Sequence, residues 1–440
     1  MPRPSAPAHP GTRGEAERRQ MFLICADAIV PDFKSPSWNH AVPAALLLMA
    51  PFDLLASLAM DIYLPVVPAM PGILNTSPAI VQLTLSLYMA VLGLGQMVFG
   101  PVSDRIGRRR VLLTGALLFA VTSFLLAGAS DAAMFVGLRL VQAMGASAAL
   151  VATFATVRDV YAERPESATL YSLFSAMLAF VPALGPIAGA LLMQRWGWRA
   201  IFITLGVLAT AALLQALPRW HETRPAQGLQ SRPAFRHILR SATFWTYTLG
   251  FSAAMGSFFV FFSTAPRVLI GQAGFSELGF SLAFATAALA MILTTRFAKR
   301  FVGSWGLAGS LTRGMGMLLL GAGLLTAGQL LATPSFWTFV APMWLIAAGI
   351  VFSVSVTANG ALQAFGDVAG TAVALYFCIQ SLIVGVLGTL MVVLLDGDTA
   401  WPLVGYASLM AGVTLTALQR LQRRQRVLTK PAMAESPDAP

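Results

Sequence analysis

The stretch PAALLLMAPFDLLASLAMDIYLPVV, residues 43–67, is apolar throughout except for two aspartates, Asp53 and Asp61. About twenty apolar residues let a helix cross some 30 Å of hydrocarbon, so the segment predicts a membrane span. An acid inside such a span is costly and is usually tied to function. Eight residues of helix set the two carboxyls roughly 12 Å apart along the axis and about 80° apart around it. They can therefore line one water-accessible side at two depths.

The same apolar pattern recurs along a chain of 440 residues that is 57% hydrophobic and 11% charged, far from the composition of soluble domains. Spans are predicted near 42–66, 79–99, 111–129, 132–153, 168–191 and 199–218. A polar, arginine-bearing segment, RWHETRPAQGLQSRPAFRHILR (219–240), follows. Six more spans are predicted near 243–265, 276–297, 307–331, 336–356, 368–395 and 400–419. The expected fold is an all-α polytopic membrane protein with twelve transmembrane helices in two six-helix halves. Its parts are an N-terminal tail (1–41), a first half (42–218), a central linker (219–242), a second half (243–419) and a C-terminal tail (420–440). The first 40 residues do not place a short apolar core before a small-residue cleavage site, so they read as a cytoplasmic tail rather than a secretory signal. Met21 offers an alternative start.

The formal charge of +11 would suggest nucleic acid in a soluble chain, but membrane proteins gather Lys and Arg in cytoplasmic loops. With both termini inside, all but five of the 29 basic residues fall on that side. Arg195, Arg199 and Arg267 fall outside, and Arg139 and Arg313 fall within spans. Cys25 and Cys378 lie in different surroundings and suggest neither a disulfide framework nor a metal site. His9, His40, His221 and His237 all lie outside the spans, so no metal site or histidine relay is expected in the membrane. No nucleotide-binding loop or zinc-protease motif occurs. No enzymatic activity and no cofactor are expected, and the energy source is expected to be an ion gradient, worth about 2.3 kcal/mol per charge per 100 mV. Two six-helix halves match the secondary-transporter pattern of a midplane site between related repeats. A faint internal echo agrees with it: GPVSDRIGRRR (100–110) after span 2 and TRFAKRFVGSWG (295–306) after span 8.

Several constellations carry candidate chemistry. In GPVSDRIGRRR, Gly100 and Pro101 are expected to tighten the exit from span 2. Asp104, Arg105, Gly107 and Arg108 then form either a gating latch that bridges helix ends or a positive-inside anchor. Arg139 interrupts FVGLRLVQAMGASAALV (135–151) and needs a partner, which points to Asp53 or Asp61 as counter-charge. An acid that moves between a dry site, which favours its protonated form, and a guanidinium, which favours its charged form, makes a switch. Asp53 is weighted as the coupling acid, and Asp61 as an accessory near the outer end that could instead bond a helix end. VPALGPIAGALL (181–192) carries Gly185, Pro186 and Gly189, a small-residue face expected to let a helix of the other half approach, or simply to pack. In FSAAMGSFFVFFSTAP (251–266), Met255, Phe258 and Phe262 share one side and suit an aryl ligand, while other rings of the run are expected to face outward. Tyr88, Asn359 and Gln380 are sparse polar groups that could orient a ligand or bond between helices.

These motifs resemble those of the major facilitator superfamily, in its twelve-helix drug–proton antiporter branch. Residues 100–109 are similar to the family's loop 2–3 motif, Arg139 with Gln142 and Gly145 to its helix 4 motif, and Gly185-Pro186 with Gly189 to the antiporter motif of helix 5. Ala143 and Ala190 stand where glycine is usual, and Val181 where a small residue is. Residues 43–76, 150–166, 255–272 and 355–362 further resemble the phenicol exporters of the florfenicol–chloramphenicol type, a similarity that covers about residues 41–408. The resemblance implies export of chloramphenicol and florfenicol from a bacterial cytoplasm across the inner membrane in exchange for protons, with Asp53 and Arg139 at the family's essential acid and arginine. Expected partners are the drug, protons and the lipid bilayer, with the chain acting as a monomer and without nucleic acid. A broader exporter of cationic drugs, a metabolite symporter, or a non-transporting receptor or scaffold are the alternatives; the last would call for a signalling domain.

Overall fold

Helix starts follow their caps. Ser77, Ser241 and Ser276 stand in extended conformation and accept a hydrogen bond from the backbone N–H three residues on, which supplies a partner to one of the unpaired donors of a first turn. The computed structural model describes residues 38, 40, 42–161, 166–223, 235–365 and 369–429. The expected N-terminal tail, apart from residues 38 and 40, lies outside them, as do 224–234 of the linker and 430–440 of the C-terminal tail.

From His40 onward the described chain is helical. The first half comprises α1 (Val42–Asp61), α2 (Pro78–Ile106), α3 (Arg108–Ala127), α4 (Ala132–Tyr161), α5 (Glu166–Trp196) and α6 (Arg199–Arg219). The second begins with α7 (Ala242–Pro266). Glu277–Leu331 is two arms folded at Gly306, numbered α8 (277–305) and α9 (307–331). α10 (Ala341–Leu362) follows, then Ala369–Ile383, which continues through a π turn at Val384–Gly388 into Thr389–Leu394 and is taken together as α11, and then α12 (Trp401–Thr429). Ten helices among the described residues are long and apolar enough to span a membrane. Dividing Glu277–Leu331 into its arms and adding the 31-residue α5 makes twelve. The chain is a multi-pass membrane protein of two six-helix halves.

The expected exit from span 2 at Gly100-Pro101 is corrected. α2 runs through Pro101 to Ile106, since an internal proline removes only one donor, and Ser103 Oγ donates to the Gly100 carbonyl at 2.8 Å. The chain turns instead at Gly107, whose φ of 105° lies in the region that favours glycine. Gly306, φ 69°, turns α8 into α9 at the matching place in the second half. α12 also outruns its apolar stretch, because its polar tail, RLQRRQRVLT, is made largely of good helix formers.

The halves repeat one another in packing as well. α3 crosses α4 at Gly115 and Gly145, where a Cβ on either would lie 2.8 or 2.7 Å from the other's carbonyl oxygen. α9 crosses α10 at Gly314 and Gly349 with the same 2.8 and 2.7 Å. Small residues let membrane helices approach backbone to backbone. Across the halves, Gln82 Nε2 donates to Ser263 Oγ at 3.1 Å, Ser281 Oγ donates to the Pro186 carbonyl at 2.9 Å, and Thr389 Oγ1 bonds Ser86 Oγ. All three bonds lie toward the end of the bundle that bears the α1–α2 and α7–α8 connections.

Candidate functional site

Arg139, on α4, is 1% exposed. Its Nη1 donates to the Ala59 carbonyl at 3.2 Å and to Gln142 Oε1 at 2.7 Å. Gln142 Nε2 in turn donates to Ser123 Oγ at 2.8 Å, which fixes the amide's orientation. The guanidinium lies 4.5 Å from the centroid of Tyr88 and 5.3 Å from that of Tyr63, within range for cation–π attraction. Tyr88 is held by its hydroxyl, which donates to the Ala56 carbonyl at 3.0 Å. Nε and Nη2 of Arg139 meet no acceptor.

Asp53 and Asp61 are both buried, at 3% and 5% exposure, and Asp53 Oδ2 meets no donor. The expected ion pair with Arg139 is not formed: among the described residues no carboxylate lies within 4.0 Å of that guanidinium. Arg139 is bonded to α1 at Ala59, six residues and about 9 Å of helix rise from Asp53 but only two residues from Asp61. The arginine therefore sits at the level of the second acid, with neutral oxygens and aromatic faces as its partners.

Gly185 and Gly189 face α1, not the other half as expected. A Cβ at Gly185 would lie 2.7 Å from Asp61 Cβ, and one at Gly189 would overlap the Ile62 carbonyl oxygen. The reason is the turn that follows Asp61: its short 3-10 stretch, Leu64–Val66, tucks the end of α1 against α5. The cross-half bond at this level comes from the Pro186 carbonyl, which accepts from Ser281 on α8.

At the α2–α3 turn, Arg108 is 3% exposed and pairs with Asp104 at 2.5 Å and with Asp159 on α4 at 2.9 Å, and its Nη1 donates to Ser103 Oγ at 2.6 Å. Glu222, just past α6, accepts from the backbone N–H of Arg108 at 2.7 Å and of Arg109 at 3.3 Å. A Cβ on Gly107 would collide with that carboxylate. Gly100 meets nothing within 4 Å of an added Cβ, and Arg105 is exposed. Asp159 and Glu222 escaped the sequence reading. Asp159 had a signal, an acid beside Arg158 at the end of a span, whereas Glu222 lies in a polar segment whose fold no periodicity announces.

In the second half, Met255 and Phe258 are half-buried and Phe262 is buried. Phe258 and Phe262 lie 6.1 and 6.2 Å from Phe284 on α8. The expectation that other rings of the run face outward is corrected. Phe259 and Phe261 are also buried, Phe261 stacking between Phe284 and Phe339, because α7 is packed against α10, α11 and α12. Gln380 is buried with its Nε2 unpartnered. Asn359 is exposed near the end of α10 and does not join these residues.

Two six-helix repeats, a charged interior in the first and an aromatic interior in the second define a membrane transporter of the two-repeat type. Residues 52–417 match the Major Facilitator Superfamily, and the chain belongs to that family, one of transporters rather than enzymes. It is 50% identical to a protein of Pseudomonas aeruginosa named "Chloramphenicol resistance protein", over 87% of this chain and 91% of that one. It is 28% identical to "Multidrug resistance protein D" of Escherichia coli K12, over 85% and 93% of the two chains. Among solved structures, a POT family transporter in complex with 5-aminolevulinic acid superposes with a TM-score of 0.68 at 14% identity, covering 88% of this chain and 96% of that one. This last likeness concerns the fold alone.

Proposed function

We propose that the chain exports phenicol antibiotics, chloramphenicol and florfenicol, across a bacterial inner membrane in exchange for protons, by alternating access. The observation that carries the coupling is the buried Arg139 of α4, with two donor nitrogens unfilled, at the level of Asp61 on α1, the helix that also carries Asp53. A guanidinium with spare donors can accept a carboxylate when α1 shifts, and a carboxylate against it favours its charged form, whereas one left in a dry site favours its protonated form. Moving the acid between these settings ties proton uptake and release to access.

Lys and Arg asymmetry supports placing both termini in the cytoplasm. With that orientation, the three cross-half bonds stand toward the periplasm, and drug enters from the cytoplasm or inner leaflet. The drug site lies between the halves beside Asp53, with Tyr88, Met255, Phe258, Phe262 and Gln380 as candidates for contact; Asn359, being exposed near a helix end, is the weakest of the set. The name of the P. aeruginosa relative supports the drug class. Asp104, Arg105, Gly107 and Arg108 act as the latch at the cytoplasmic end, and Gly185, Pro186 and Gly189 keep α5 on α1 as the halves rock. The chain acts as a monomer.

The test is resistance and drug efflux in cells expressing the chain, with Asp53→Asn and Asp61→Asn compared at equal membrane abundance. Loss of chloramphenicol and florfenicol resistance in Asp53→Asn is expected, and retained resistance removes Asp53 from the mechanism. A broader drug range is favoured by the names of the multidrug-resistance relatives; efflux of a lipophilic cation beside a neutral phenicol separates the two readings.

A further inference from the structure

A group of positive charges that the transport reading leaves unused gathers at the elbow between α8 and α9. About twenty residues of helix fill the hydrocarbon of a bilayer. Counted from Glu277 along α8, that length reaches Arg296; counted back from Leu331 along α9, it reaches Thr312, the neighbour of Arg313. Both arms therefore cross the rim of the membrane at their basic residues. Lys299 and Arg300 lie just beyond it, and all four side chains are exposed.

Arg313 does not point into the hydrocarbon. Its Nη1 donates to the Gly309 carbonyl, one turn back toward the elbow, at 3.2 Å, and its guanidinium lies 4.7 Å from the ring centroid of Trp305. The head is thus held at the level of the rim, beside the kind of ring that settles at membrane interfaces. Among the described residues no carboxylate lies within 4.0 Å of Arg296, Lys299, Arg300 or Arg313. At the rim and on its hydrocarbon side, Leu293, Phe297, Leu320 and Leu324 are exposed at 52%, 58%, 65% and 53%, an apolar wall fit for acyl chains. A guanidinium facing lipid needs an anionic partner, and the anions that a bilayer offers at this depth are phosphates. With no described carboxylate within 4.0 Å of these charges to receive a choline or ethanolamine ammonium, the charge balance favours a net-negative headgroup.

We propose that the α8–α9 elbow is a binding site for an anionic phospholipid, with Arg313 anchoring the phosphate and Arg296, Lys299 and Arg300 supplying supporting charge. The test uses the purified full chain in detergent, stripped of lipid and titrated with phosphatidylglycerol, phosphatidylcholine or inorganic phosphate. Bound lipid is counted by native mass spectrometry and thermal unfolding is followed in parallel. Phosphatidylglycerol should bind saturably and raise the unfolding temperature. Arg313→Gln should weaken that binding at least about fivefold, and Arg313→Lys should retain part of it. Equal binding by Arg313→Gln and the parent chain, equal binding of phosphatidylcholine, or the same shift with inorganic phosphate would each overturn the proposal. Should Arg313→Gln not purify folded, the exposed pair Lys299→Gln and Arg300→Gln takes its place, with the same expected weakening and the same refutation if binding is unchanged.

Discussion

Gly189→Ala is a one-carbon perturbation with a large expected effect. The added Cβ would overlap the carbonyl oxygen of Ile62, with the Ile62 carbonyl carbon at 2.9 Å and Cα at 3.3 Å. All three obstructing atoms belong to backbone, so no rotamer change clears them, and α5 and the end of α1 must separate by on the order of an ångström. Overpacking of this kind costs about 1–3 kcal/mol, small beside a total stability of roughly 5–15 kcal/mol. The protein should still fold and reach the membrane. Ile62 follows Asp61 directly, so the shift also displaces the acid at the level of Arg139, and a 1–3 kcal/mol bias on a conformational equilibrium is roughly a 5- to 150-fold change. Phenicol resistance, membrane abundance and thermal unfolding in detergent should be measured together, with Gly316→Ala, where an added Cβ meets nothing within 4 Å, as comparison. A lower unfolding temperature and a sharp loss of resistance at near-normal abundance are expected for Gly189→Ala alone. Wild-type resistance together with an unchanged unfolding temperature would refute the reasoning about this contact.

Four further outcomes are expected. Arg108→Ala leaves Asp159, 5% exposed, with the exposed Arg158 at 3.6 Å in place of its closer partner, a loss of up to about 3 kcal/mol that should appear as reduced membrane abundance and be partly restored by adding Asp159→Asn. Glu222→Ala uncaps the first turn of α3 and should cost about 0.5–2 kcal/mol, read as a lower unfolding temperature. Tyr88→Phe keeps the ring over Arg139 and loses one hydrogen bond, about 1 kcal/mol, so transport should largely survive, whereas Tyr88→Leu should abolish it; equal activity of the two variants would show that the ring is dispensable. Ser86→Ala with Thr389→Val removes a bond between the halves and should speed alkylation of a cysteine placed at Ala90, which stands against Gly385, in a background with Cys25→Ser and Cys378→Ser.

Where apolar runs met charge, the sequence was informative. The spans, their division into halves and the echo between residues 100–110 and 295–306 are legible because a helix must bury its backbone in lipid with about twenty apolar residues. The turn residues Gly107 and Gly306 were inside that echo. Helix ends were less legible, since α2 passes through Gly100-Pro101 and α12 runs on through charged residues; lipid solubility and helical propensity end at different places. At the site, the rarity of ionisable groups in membranes exposed Asp53, Asp61 and Arg139 at once, but not their pairing. Which acid Arg139 stands beside depends on the depth at which α4 crosses α1, and the crossing is set by Ala59, Gln142 and the two tyrosines rather than by charge. The small-residue face of helix 5 was legible as a close contact, but not its partner, because glycine spacing states that something approaches and not what. The cross-half bonds of Gln82, Ser86, Ser263, Ser281 and Thr389 could not have been selected from the many serines and threonines of the spans.

The central claim is exchange of a phenicol for protons. It is tested most directly with the purified chain reconstituted into proteoliposomes, where uptake of radiolabelled chloramphenicol is followed under an imposed pH gradient, acidic inside. Uptake that appears with the gradient, collapses on adding a protonophore and is absent for Arg139→Ala is predicted. Uptake that is indifferent to the gradient and the protonophore, or no chloramphenicol movement from protein that is folded and inserted, would contradict it.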